Sequence, residues 1–286
     1  MSQMSNTGKN RVITDQFYTK DDIAKRCVER FYEQYPFYKN IVEPSAGDGA
    51  FIHYLCRFNT YGSENFRAFD IEPKNIRKEF IIPIEQQDFL KYDFQDFHMA
   101  SSSDKVYFIG NPPFGRQSSL ARKFIKHIAS WDKAGVIAFI LPKSFKKTSM
   151  QKCFPINWHL IDSSNIPDNS FVINGKSHNV PCVFQIWEKK AFQRWIPEIA
   201  EPKGYIFTKK TENPHFSLRR VGVYAGKIDS EIDKSEQSHY FIKLDSQTNK
   251  EQFLERYGCI VFETDNTVGP RSISKQEFIA KLNICF

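Results

Sequence analysis

The sequence predicts an α/β chain built on a doubly wound, mostly parallel sheet, followed by a smaller α+β module. Three observations point there. Short apolar runs alternate with segments of helical period as far as Leu141, the rhythm of a parallel sheet covered on both faces. The first strand ends in an acid, Glu43, and runs straight into a glycine-bearing turn and a helix. Beyond Ile196 that rhythm lapses and turn signals multiply. A length of 286 residues suits one large core with a small second domain.

Taken in order, Thr19-Lys-Asp-Asp22 reads as a capping-box-like start, with Asp at the fourth position. Ile23, Ala24, Cys27, Val28, Phe31 and Tyr35 then recur at helical spacing until Pro36 ends the helix. Asn40–Glu43 is the first strand, and a helix follows the turn at residues 44–51 to about Arg57. Strands are expected at Asn65–Asp70, Phe80–Gln86, Val106–Ile109 and Ala134–Leu141, with an amphipathic helix over Ser118–Ser130. Two more, near Asn157–Asp162 and Pro181–Trp187, lack a clear intervening helix and predict an antiparallel hairpin at the sheet edge. The sheet then has seven strands.

Residues 1–14 read as a disordered arm, 15–195 as the main domain, and 196–286 as the α+β module. The last carries turn signals at Glu201-Pro-Lys-Gly204, Asn213-Pro214 and Gly269-Pro270. No apolar run is long enough to span a bilayer, and the polar N-terminus has no secretory h-region. Six dispersed cysteines without a CxxC pair argue against zinc and disulfides and for a reducing cytoplasm. The scattered histidines suggest no metal site. Net charge is +7, and the excess lies wholly in residues 1–195, with 27 basic and 20 acidic side chains. Such an excess fits a polyanionic partner or simply a solvated basic surface.

Asn111-Pro112-Pro113-Phe114 is the most informative stretch. An exocyclic amine on a nucleobase is a poor nucleophile, because its lone pair is delocalised into the ring. Two hydrogen-bond acceptors on its N–H groups make the nitrogen pyramidal and aim that lone pair at a methyl donor. The Asn111 carboxamide oxygen offers one acceptor, and the Pro112 carbonyl, on a residue of fixed φ, offers the other. Phe114 can stack on the base. The plain alternative is a Pro-Pro break after a strand with Asn111 capping a turn.

The turn after Glu43 supplies a matching cofactor reading. Gly47 and Gly49 let the backbone approach a ligand, but Asp48 would repel a pyrophosphate at the helix start. A ligand with an ammonium group and no phosphate suits it, and S-adenosylmethionine fits; Asp48 as a helix cap is the alternative. Asp70, ending the second strand, can accept both ribose hydroxyls or serve as a turn acid. Asp88 can accept from the adenine amine with Phe89 against the ring, or be a surface loop acid.

With those residues in place, the chain resembles the S-adenosylmethionine-dependent amino-methyltransferases that modify adenine N6 in DNA. Phe17-Tyr18-Thr19, with Ile23 and Ala24, is similar to the motif that closes over the methionine end of the cofactor. Glu43-Pro-Ser45-Ala46-Gly47-Asp48-Gly49-Ala-Phe51 resembles the glycine motif, and Phe69-Asp70-Ile71-Glu-Pro73 the ribose motif. Asp88-Phe89-Leu90 resembles the adenine motif, and Asn111 to Phe114 the catalytic tetrapeptide. Phe171 stands where the family often places a second aromatic against the flipped base, or is a buried apolar residue. The resemblance covers residues 15–190 or so and has the gamma-type motif order. It implies a Rossmann-like methyltransferase sheet, base flipping from double-stranded DNA, and a restriction-modification setting.

Candidate phosphate contacts are Arg116, Lys143, Lys146 and Lys147 near the tetrapeptide, joined by Arg122, Lys123, Lys126 and Lys152. Lys209, Lys210, Arg219 and Arg220 mark the C-terminal module, which place in the chain makes the expected target-recognition element. Methylation of RNA adenine or of a protein glutamine amide are the rival activities; the glutamine enzymes usually carry Tyr at the position of Phe114. A non-catalytic nucleic-acid-binding subunit on the same fold is the rival from another class.

Overall fold

The computed structural model describes residues 17–58, 66–74, 82–97, 104–173, 175–196, 200–262 and 271–285. The expected arm at 1–14, the start of the expected third strand and the Gly269-Pro270 turn lie outside these residues. The chain divides into two compact units between Arg194 and Trp195.

The first unit runs β1 (Tyr18–Thr19), α1 (Asp21–Gln34), β2 (Asn40–Glu43), α2 (Ala50–Phe58), β3 (Phe66–Asp70), β4 (Ile84–Gln86) and β5 (Val106–Gly110). It continues with α3 (Ser119–Ala129), β6 (Ala134–Pro142), α4 (Thr148–Gln151), β7 (Trp158–Asn165), β8 (Phe171–Ile173), β9 (Lys176–His178) and β10 (Cys182–Lys189). Seven strands form the central sheet in the order β4-β3-β2-β5-β6-β10-β7. The pairs β2–β3, β2–β5, β3–β4 and β5–β6 are parallel, whereas β10 is antiparallel to both β6 and β7. This is the doubly wound architecture with an antiparallel edge hairpin that the sequence predicts; β10, the later strand, lies inside and β7 forms the edge.

Both faces of the sheet are covered, and β6 shows why its sequence is uninterruptedly apolar. Val136, Ala138 and Ile140 pack with Ile23, Val28 and Leu55 of α1 and α2. Ile137, Phe139 and Leu141, facing the other way, pack with Phe124, Ile125 and Ile128 of α3. All nine residues of β6 are buried.

Two features differ from the sequence reading. The capping box at Thr19 is not formed: the N-cap of α1 is Lys20, with no side-chain cap, and Thr19 belongs to β1. A second, three-stranded sheet, β1-β8-β9, is added, because the link between β7 and β10 folds as a small hairpin whose first strand pairs with β1.

The second unit runs β11 (Tyr205–Thr208), β12 (Phe216–Arg219), β13 (Ile228–Asp229), β14 (His239–Leu244), α5 (Lys250–Gly258) and α6 (Lys275–Asn283). Its antiparallel sheet has the order β11-β14-β12-β13. Phe216, Leu218 and Ile242 meet Phe253, Phe278 and Leu282 of the helices in a separate core.

The residue after the tetrapeptide is held by a steric constraint. Gly115 has φ +69°, and a Cβ there would lie 2.8 Å from both the backbone nitrogen and the Cγ of Leu120. Gly115→Ala should therefore cost about 2 kcal/mol or more, since the left-handed backbone and the contact both oppose it. Urea unfolding of the variant checks this; an unchanged midpoint would contradict it.

Candidate functional site

The central sheet changes direction of strand order between β2 and β5, with β3 and β4 to one side and β6, β10 and β7 to the other. Ligands of open α/β sheets bind beyond the carboxyl ends of strands at such a point. Here β2 ends in Glu43 and β5 in Gly110. Gly110 lets the two approach: a Cβ on it would sit 3.3 Å from Glu43 Cγ.

Asn111 follows immediately, and three polar contacts hold it. Its Nδ2 donates to the Phe17 carbonyl and to Thr19 Oγ1, each at 3.1 Å. Its main-chain carbonyl accepts from Ser45 Oγ at 3.1 Å. Its Oδ1 is buried and has no hydrogen-bond partner among the described residues. Pro112 is buried and Pro113 half-buried. Phe114 is 5% exposed and its carbonyl accepts from the amides of Leu120 and Ala121, anchoring the turn to α3.

Strand β1 gathers the aromatic residues. It pairs Thr19 with Phe171 of β8, so residues far apart in sequence meet at Asn111. The half-buried Phe17 ring stacks on Phe114 at 6.2 Å and 24°, and meets Phe171 edge-on at 6.2 Å. Phe171 is fully buried.

Gly47 and Gly49 adopt left-handed φ values of +57° and +83°. The turn they form is tied to β3, since Ala46 N donates to Phe69 O and Gly47 N to Asp70 Oδ2 at 2.7 Å. The other Asp70 oxygen accepts from Glu72 N at 2.8 Å. Asp70 thus braces the turn, and each oxygen keeps a second lone pair. A Cβ on Gly47 would meet the Tyr18 ring at 3.2 Å, so β1 also reaches over this turn. Burial, then Asp70, Asp48 and Glu72, push the Tyr18 hydroxyl pKa upward.

Glu43 is 1% exposed, and its Oε2 has no partner among the described residues. Burial first, then the charges of Asp48 and Asp70, hold its carboxyl well above the usual range. A cationic group brought beside it would reverse that imbalance.

Ile71, just past β3, is 67% exposed, an open apolar surface beside the Asp70 brace. Phe89 lies elsewhere: it is 2% exposed and packs on Tyr92, Phe108 and Phe124 in the core. Asp88 caps the short turn after it, accepting from Leu90 N, and pairs with Lys91 at 3.4 Å.

Of the basic candidates, Arg116 and Lys146 are exposed and Lys143 and Lys147 half-buried, in the turns that follow the adjacent strands β5 and β6. Those of the second unit are more occupied. Lys210 pairs with Asp233 at 2.5 Å, Arg219 donates to Val221 O, and Arg220 lies over the Tyr240 ring. Lys209 is exposed. Among the described residues no cluster of His, Cys, Asp or Glu is placed to hold a metal, and no helix is long and apolar enough to cross a membrane.

The links from Thr19 and Ser45 to Asn111 were invisible to periodicity. A two-residue strand carries no pattern, and a hydroxyl's partner is set only by the fold.

Against solved structures, the chain is similar to the 23S rRNA methyltransferase ErmE, with 12% identity over 62% of this chain and 71% of that one (TM-score 0.43). A protein from Pyrococcus horikoshii described as an RNA methyltransferase shares 14% identity, over 65% and 93% (TM-score 0.45). A type I restriction modification subunit from Vibrio vulnificus shares 11%, over 90% of this chain; the chain spans 55% of its length (TM-score 0.43). No curated protein matches by sequence. The model of the EDM2 methyltransferase-like domain matches residues 38–196, more than half of the chain, from before β2 to beyond β10. The matched stretch thus holds β2, the glycine turn and the Asn111 turn, and the chain belongs to the EDM2 methyltransferase-like domain family.

Proposed function

We propose that this chain transfers a methyl group from S-adenosylmethionine to the N6 amine of adenine in DNA. One observation carries the reading: Asn111 Oδ1 is a buried acceptor left without a donor at the switch point of a methyltransferase-like sheet. Buried polar atoms are normally paired, so an orphaned one invites a ligand. An amine N–H supplies the missing donor, and the Pro112 carbonyl takes the second N–H.

The remaining residues fit the cofactor. Glu43 Oε2 would pair with the ammonium of the methionine end, relieving a buried carboxyl that now favours protonation. The spare lone pairs of Asp70 would take the ribose hydroxyls, and exposed Ile71 would cover one face of the adenine. Tyr18 would close over the glycine turn. When bound, S-adenosylmethionine supplies the electrophilic methyl group. The protein's part is to position the amine and to exclude water.

The target base must leave the duplex to reach Asn111. It would stack on Phe114, a contact of about 1–3 kcal/mol, once the Phe17 ring turns aside. Arg116, Lys143, Lys146 and Lys147 would take phosphates, as would Lys209 and its neighbours in the C-terminal unit, the proposed target-recognition element. DNA is chosen over RNA on the resemblance of the motifs, and over protein glutamine because Phe114 stands where those enzymes usually carry Tyr.

Tritiated S-adenosylmethionine offered bulk DNA, RNA and protein should label DNA. Asn111→Ala should abolish labelling while still binding S-adenosylhomocysteine. Label confined to protein would remove the nucleic-acid reading, and label confined to RNA would replace the substrate.

Glu43→Gln gives a two-sided test. The folded pKa of Glu43 lies above the unfolded value of about 4.3. Its protonated form is therefore favoured by folding, and stability is lost as pH rises above that value. Without ligand, the variant should melt higher than wild type at pH 7.5, with the gain shrinking toward pH 4.3. Its affinity for S-adenosylhomocysteine, which keeps the ammonium, should fall roughly tenfold in calorimetry. Unchanged affinity would detach Glu43 from the cofactor.

A further inference from the structure

We infer that Thr19, together with the Phe17 carbonyl, is the positioning element that dictates which way the Asn111 carboxamide faces. This rests on the reading of Asn111 as the acceptor for the target amine and names what makes it one.

A carboxamide's oxygen and nitrogen are nearly the same size, so shape alone barely distinguishes the two orientations related by a half-turn about the side-chain bond. One orientation presents an acceptor to the substrate amine. The other presents N–H groups, which repel its N–H groups. A site that works through this amide needs a device that rejects the second orientation.

The structure contains one. The Phe17 carbonyl can only accept, so the nitrogen must face it, and it lies 3.1 Å from Asn111 Nδ2. Thr19 Oγ1 takes the other N–H at 3.1 Å. With both hydrogens committed, Oδ1 is the atom left over, and it is the buried atom that lacks a partner. Reversing the amide would set its oxygen against the Phe17 carbonyl. Ser45 Oγ, donating to the Asn111 main-chain carbonyl, holds the backbone beneath.

The two acceptors are themselves fixed. Tyr18 and Thr19 pair with Val172 and Phe171 across the β1–β8 ladder, and Lys20 N donates to Ser170 O at 3.0 Å. Thr19 is 7% exposed, so little water competes for its hydroxyl. The ladder begins at Tyr18, whose nitrogen shares a peptide plane with the Phe17 carbonyl, so that carbonyl is held from the ladder side. The tested group is the Thr19 hydroxyl, since a main-chain carbonyl cannot be substituted.

The experiment compares the full-length chain with Thr19→Val and Thr19→Ser. Single-turnover transfer of tritiated methyl to unmethylated DNA is measured across DNA concentrations, with calorimetric affinity for S-adenosylhomocysteine and the thermal midpoint alongside. Thr19→Val should slow the saturated rate roughly tenfold or more, the loss expected for one of two anchoring hydrogen bonds. The half-saturating DNA concentration and the S-adenosylhomocysteine affinity should stay within about twofold. Thr19→Ser, which keeps the hydroxyl, should recover most of the rate.

A wild-type rate in Thr19→Val overturns the inference and leaves the proposed activity standing. So does a parallel loss of S-adenosylhomocysteine affinity, which would make Thr19 a cofactor contact, or a failure of Ser to rescue. If Val abolishes the thermal transition and Thr19→Ala does the same, the residue is structural and the inference falls. Absence of label from wild type would remove the reading of Asn111 as acceptor, and this inference with it.

Discussion

The approach of β2 to β5 is the constraint on which the site depends. Their ends bring the Glu43 side chain beside Gly110, where a Cβ would make a tight 3.3 Å contact with Glu43 Cγ. From that contact the two loops diverge, one carrying Gly47 and Gly49 back to β3, the other carrying Asn111 to Phe114 toward α3. The Ser45–Asn111 bond ties them together again. The glycine turn and the tetrapeptide turn thus share one anchor. Displacement of either strand end would disturb both.

That arrangement concentrates negative charge. Glu43, Asp48 and Asp70 lie near enough to raise the Glu43 pKa beyond what burial alone does. Asp70 offsets its share through the Gly47 and Glu72 amides. Glu43 has no such relief for Oε2. An acidic cluster of this kind favours a cation over a phosphate, which separates it from the pyrophosphate-binding turns built on similar sheets.

Much of this was legible in the sequence, and for identifiable reasons. The continuous apolar run of β6 encodes burial on both faces, and the acid–glycine–helix succession after Asn40 encodes the tight turn between β2 and α2. The tetrapeptide stands at a strand end, as its spacing from Val106 indicates. What stayed hidden was tertiary. Thr19 has the composition of a helix cap, but its hydroxyl is taken by Asn111, and only the pairing of β1 with β8 makes that contact available. Phe89 carries the look of a ligand contact beside Asp88, yet it lies among core aromatics, because a motif three residues long cannot reveal which way its middle side chain points.

The Phe17 ring has a kinetic consequence. A half-buried side chain lies on Phe114 while the next two residues, Tyr18 and Thr19, are laddered to β8. Clearing that surface requires torsion about one or two single bonds rather than the opening of a loop. Motions of that kind in accessible residues belong to the picosecond-to-nanosecond range, whereas loop opening is far slower. In the proposed reaction, uncovering Phe114 in this way would precede the slower extrusion of the base from its helix.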